Sequence, residues 1–226
     1  MKNRIRQIPS LRSAATLLFL ALLLTIGMAP ASTGVLYDNG PHGDNPGGVG
    51  INYSTTTTDS FILSSAANVT GVTFFVREEF EAQSGGNPVT SVDWSITSGA
   101  FSGATYGSGT AATTDAFLSS FNPGHGFEVL RSESFSIPIA GLSPGTYWLQ
   151  LANAVASDGK PLDWDVNSGA SLADVMIPSG SIFSESSEAF QILGDENTGT
   201  PEPGSFGLLA AGVLGMAGLL RRRTAR

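Results

Sequence analysis

The feature that most restricts this chain is a two-residue rhythm. Between Val35 and Leu193 apolar residues recur at alternate positions, in runs broken by Gly, Pro, Asn, Asp and Ser. A period of two sets one face of a strand against a core and the other against water, and no helical stripe competes with it. Val72, Phe74 and Val76 share one face of Val69–Arg77, and Val92, Trp94 and Ile96 share one face of Val89–Thr97. Further strands are expected at Val35–Tyr37, Gly50–Tyr53, Ser60–Ser64, Phe127–Leu130, Glu133–Pro138, Thr146–Ala152, Leu162–Val166 and Ala189–Leu193. The Gly-, Ala-, Ser- and Thr-rich stretch Phe101–Phe121 resists assignment. Short strands with turns at this spacing predict an all-β fold, a two-sheet antiparallel β-sandwich of jelly-roll or Ig-like type.

Two local features sharpen the expectation. Ser143-Pro144-Gly145 places Pro and Gly where a type II turn wants them. Tyr147, just beyond, is suited to bond its hydroxyl back to that loop, with Leu149 and Leu151 on its face and Trp148 and Gln150 on the other. VDWSITSG (Val92–Gly99) and LDWDVNSG (Leu162–Gly169) also echo each other, as equivalent strands in two sheets or as local convergence.

Both ends of the chain are apolar. Lys2, Arg4, Arg6 and Arg12 precede the run Ala14–Ile26, and Ala29-Pro30-Ala31 follows it. That order is a secretory signal peptide with cleavage after Ala31, the apolar part being short for a membrane span. At the other end Pro201-Glu202-Pro203 precedes Gly204–Leu220, 17 residues without a charge, and then Arg221, Arg222 and Arg223. This length is at the lower limit for a transmembrane helix, and the arginines mark a stop on the cytoplasmic side. The expected organisation is a signal peptide at 1–31, an extracytoplasmic domain at 32–200 and a tail at 201–226. The body passes outward, and the tail tip stays inside the inner membrane.

The body from Ser32 to Thr200 holds three cations (Arg77, Arg131, Lys160) and 18 acids, a net charge near −15. Nucleic-acid and anionic-lipid partners need clustered Lys and Arg, so this surface excludes them. It suits divalent cations and neutral polymers. The chain has no cysteine, so an exported body of about 170 residues must stand on its core without disulfides.

Candidate chemistry is sparse. His42 and His125 sit in turn-like surroundings with no partner at metal or triad spacing, and no nucleophile elbow, zinc-helix or phosphate-loop motif is present. Asp163 and Asp165 flank Trp164, and Glu78, Glu79 and Glu81 cluster at a strand end as solvated edge charges. Asp38, Asn39, Asp44 and Asn45 share one loop and offer oxygen ligands of the kind calcium takes. Trp94 shares its face with Val92 and Ile96 and belongs to the core. Trp148 and Trp164 are the aromatics to stack on a sugar ring.

The order Pro-Glu-Pro, short apolar segment, arginine cluster resembles the PEP-CTERM sorting signal of exopolysaccharide-producing Gram-negative bacteria. VLYDNG, SFILSSAANVTGVTFFV, SVDWSITSG, SPGTYWLQLANAVASDGKPLDWDVNSG and SEAFQILG resemble one group of bodies bearing that tail. The chain departs from the group's usual WDxNxG-like stretch at Trp164-Asp165-Val166-Asn167-Ser168-Gly169. The resemblance implies processing near Pro201-Glu202-Pro203 by a membrane-embedded exosortase, and an association with biofilm and exopolysaccharide. The expected function is a non-enzymatic surface or matrix protein without a cofactor. The alternatives are a carbohydrate-binding module for the cell's own polysaccharide and, last, a glycan hydrolase.

Overall fold

The computed structural model describes residues 33–43, 47–80, 88–121 and 127–197. The described residues all belong to one compact unit. The expected signal helix and transmembrane helix lie outside the described residues. Among those residues no helix is long and apolar enough to cross a membrane.

The described chain is built from strands: β1 (Gly34–Asp38), β2 (Gly48–Gly50), β3 (Thr56–Leu63), β4 (Ala67–Phe80), β5 (Val89–Gly99), β6 (Ser102–Ala112), β7 (Thr114–Phe121), β8 (Phe127–Leu142), β9 (Gly145–Ala156), β10 (Asp163–Asp165), β11 (Ala173–Met176), β12 (Ile182–Glu185) and β13 (Phe190–Glu196). They form two antiparallel sheets in a sandwich-like arrangement. One sheet runs β12-β11-β3-β9-β5-β6. The other centres on β4, which pairs with β8 along one edge. Its other edge is shared, first by β13 over Ala67–Phe74 and then by β10 over Val76–Arg77. β1 extends the sheet beyond β13, β2 beyond β10, and β7 beyond β8.

The core is the meeting of the two inner faces. Trp94, Phe135, Phe74, Trp164, Phe190 and Phe61 form a chain of ring contacts, with centroid separations of 6.3, 5.9, 6.5, 5.5 and 6.4 Å in that order. Burying each such side chain stabilises the fold by roughly 1.5–3 kcal/mol relative to leaving it exposed. The two Asp-Trp echoes lie one in each sheet, β5 and β10, and each sends its tryptophan inward.

Strict alternation fails within β4, where Val69 and Val72 are both fully buried. Register shifts between Val69 and Gly71, and opposite them between Leu193 and Gly194, let both valines face the core. Gly194 is required there, because a Cβ would lie 2.0 Å from the Asn68 carbonyl oxygen.

Several expectations need correction. Phe127–Leu130 and Glu133–Pro138 are one continuous strand, β8, because its central charges are held in the sheet rather than at a turn. Phe101–Phe121 is β6 and β7, which cross from one sheet to the other at Thr113. Gly107 lies opposite Ile96, and a Cβ there would sit 2.8 Å from the Ile139 side chain, so the strand is small at that point by necessity; Gly109 lies opposite Trp94. The short strands β11 and β12 carry too few residues to show a period. Ser143-Pro144-Gly145 is not a type II turn, since the glycine with positive φ is Gly141 (φ 70°) rather than Gly145. The chain here changes sheet, and the Tyr147 hydroxyl donates to the Ser143 carbonyl at 2.7 Å to fasten the corner as expected.

Substituting Gly194 by Ala is expected to cost about 1–3 kcal/mol, the range for overpacking a close-packed site. A shift of the urea midpoint to lower concentration at constant slope checks it; an unchanged midpoint contradicts the register account.

Candidate functional site

The most concentrated chemistry lies where β1, β3 and the segment leading into β13 meet. Alternation along β3 aligns Asp59 with the core residues Phe61 and Leu63, and its carboxylate is fully buried. Its Oδ2 accepts from the Ser171 hydroxyl at 2.9 Å, the Glu188 N–H at 2.7 Å and the Asn39 amide at 3.0 Å, and its Oδ1 from the Ser60 N–H at 2.6 Å. The Asn39 amide nitrogen also lies 2.6 Å from the Glu188 carbonyl oxygen and 2.8 Å from the Ser187 hydroxyl. Asn167 closes the group by donating to the Asn39 carbonyl at 2.7 Å. Burial pushes Asp59 up to about 6, against the donors that stabilise its charge.

Glu188 is more extreme. It is fully buried and neither carboxyl oxygen meets a hydrogen-bond partner. Burial first, and then the charges of Asp59, Asp165, Glu185 and Asp163, hold its pKa well above the usual carboxylate range. A charged form there would be unpaired in a low dielectric, which disfavours ionisation of Glu188.

A second cluster lies across β4, β7 and β8. Arg131 makes a two-pronged ion pair with Asp115 through Nε and a terminal nitrogen. Glu133, fully buried, accepts the Val89 N–H at 3.2 Å. Burial, then the neighbouring Asp115 carboxylate, push Glu133 up to about 8. Arg131 holds Asp115 below the usual range. Glu78 adds to the negative potential around Arg131 and is buried, which corrects its reading as a solvated edge charge. On the outer side of β4, Asp165 accepts from the Arg77 Nε and from the Gly43 N–H at 2.7 Å, and Arg77 also pairs with Glu128 at 3.1 Å. His42 is exposed and stacks on Phe75 at 4.4 Å.

The residues singled out in the sequence scatter. Trp164 has no exposed surface, and its indole N–H donates to the Ala189 carbonyl at 2.9 Å. It is a core residue, not a sugar platform, because β10 points it between Phe74 and Phe190. Trp148 is half-buried on the outer face of the β9 sheet, opposite Ser60 and Thr97. Asp38 accepts from the Gly40 N–H at 3.0 Å and Gln191 at 2.9 Å, while Asn39 turns into the buried network, so the two do not converge on one ion. Asp44, Asn45 and His125 lie outside the described residues, as do Ala29, Ala31, Pro201, Glu202, Pro203, Arg221, Arg222 and Arg223. Among the described residues no group of three or more His, Asp or Glu side chains is placed to hold a metal ion. Asp59 and Glu133 were not anticipated, although an acid in phase with Phe61 and Leu63 is itself a signal of a buried carboxylate.

The chain matches no family model, and no curated protein matches it.

The buried acids fix a pH dependence. Asp59 rises from 3.8 to about 6 and Glu133 from 4.5 to about 8, so both bind protons more tightly folded than unfolded. Their contribution is full below the unfolded values and is lost as pH rises through the folded ones. The thermal midpoint is therefore expected to fall from pH 4.5 to pH 8. Glu133→Gln, which stays neutral, is expected to gain about 1–3 kcal/mol over the native protein at pH 8 and little at pH 4.5, each displaced pH unit being worth about 1.4 kcal/mol. A midpoint flat or rising with pH, or a Glu133→Gln effect independent of pH, contradicts this.

Proposed function

We propose that the protein is an exported, non-enzymatic β-sandwich, sorted to the cell surface or extracellular matrix by its Pro-Glu-Pro, apolar and arginine tail. One observation carries the structural side of this reading. β1 and β13 are antiparallel neighbours, with Gly34 opposite Gly194. The start and the end of the body therefore leave from the same end of the fold. An export signal before β1 and a tail after β13 then pull on one pole, and the rest of the body is free to fold outside the membrane. The Tyr147 corner supports the finer reading of the body as Ig-like.

The tail's parts have separate duties in this account. Pro201 and Pro203 disfavour helix at the residues preceding them and keep the segment extended, the form a processing enzyme needs. Glu202 supplies the single charge for its pocket. Gly204–Leu220 is short and glycine-containing, so it holds in lipid more weakly than a leucine-rich helix. Arg221–Arg223 fix its direction. An exosortase-like membrane enzyme is the partner that reads it, and exopolysaccharide is the setting in which the released body resides.

Intact mass spectrometry of the protein from membrane and medium tests this. The membrane is expected to hold a form retaining the arginines, and the medium a form ending near Pro201–Gly204. Replacing Pro201 and Pro203 by Ala together is expected to trap the longer form. A full-length tail in every fraction contradicts the sorting role.

A further inference from the structure

A groove of about 680 Å³ opens along the side of the sandwich, between β6 and the edge of β8. It exists because β7 stops pairing with β8 at Thr114 and Ser134, leaving β8 from Phe135 onward without a strand on that edge. Trp94 forms part of its lining. The ring is 9% exposed, and among the described residues its indole N–H meets no acceptor. The indole nitrogen lies beneath Gly109, and both residues line the groove. The contrast is Trp164, whose N–H is bonded inside the core.

The strand above the indole has no side chain to cover it. A Cβ at Gly109 would sit 3.6 Å from the Trp94 indole nitrogen. Thr114, Ser134 and Ser136 line the same groove, the Ser134 hydroxyl lying 3.0 Å from that of Thr73. Among the described residues no Asp, Glu, Lys, Arg or His lines the groove, although the body carries 18 acids. Pro138, in the same wall, has no N–H to donate to an added strand. A neutral wall of hydroxyls with one indole donor and an aromatic floor matches a ligand rich in hydroxyls and free of charge.

We infer that this groove binds a segment of neutral polysaccharide, with the Trp94 indole N–H donating to a sugar oxygen through the gap left by Gly109. The site is distinct from Trp148 and Trp164. It does not rest on the sorting account, since binding is read on purified protein whatever happens to the tail.

The three tryptophans give three indole N–H resonances, which makes the test direct. The full-length chain, labelled with ¹⁵N and held in mild detergent, is titrated with cellohexaose, laminarihexaose and mannohexaose. The charged comparator is an alginate hexasaccharide. At least one neutral sugar is expected to shift the Trp94 resonance progressively and to leave Trp164 in place. Gly109→Val, whose Cβ meets only ordinary contacts, is expected to weaken that binding at least about tenfold with an unchanged thermal midpoint. Ser136→Ala, which leaves the core untouched, is expected to weaken it less. The inference is overturned if no neutral hexasaccharide moves Trp94 through the millimolar range. It is overturned equally if alginate binds as well as they do, or if folded Gly109→Val binds like the native chain.

Discussion

The carboxylate of Asp59 is where the two sheets are fastened to each other. It lies on β3, yet three of its donors come from elsewhere: Asn39 beyond β1, Ser171 before β11 and Glu188 before β13. A chain without cysteine has no disulfide to fix one sheet against the other. Apolar contacts alone resist sliding only weakly, since they carry no direction. The hydrogen bonds around Asp59 are directional and buried, where an unmade bond costs about 1–3 kcal/mol. These bonds tie the chain beyond β1 and the chain leading into β13 directly to β3.

The same junction explains the forked edge of β4. β13 and β10 both pair with it, and they converge where Asp165 and Ala189 exchange a backbone bond of 2.8 Å. Three strands meeting at a point leave backbone groups that a regular ladder would not satisfy. Asn39, Asn167 and Ser187 supply the missing partners. Glu188 sits in the middle of this construction with its carboxyl buried, where burial and the neighbouring acids raise its pKa.

How much of this was legible follows from which signals are local. The alternating apolar face of β5 and the inward-facing residues of β9 were readable because each strand has one buried face. Tyr147 was readable because the corner spans four residues. β6 was not, since glycine and serine show no pattern until Trp94 and Ile96 are known to lie across from them. The charges in β8 suggested a break, because the neutralising partner of Arg131 is 16 residues away on another strand. Trp164 resembled an exposed platform between two acids, but short strands give no independent sign of which face is inward. The groove at Trp94 arises where one strand ends and its neighbour continues, a property of pairing rather than of sequence.

The account stands on the claim that the Asp59 junction belongs to the cooperative core and is not a local clasp. Native-state hydrogen exchange across a denaturant series measures this. The Glu188 N–H, which donates to Asp59, is predicted to merge with the amides of Val72 and Leu149 on the global unfolding isotherm. Exchange of the Glu188 N–H through a denaturant-insensitive opening, several kcal/mol below that isotherm, would contradict it.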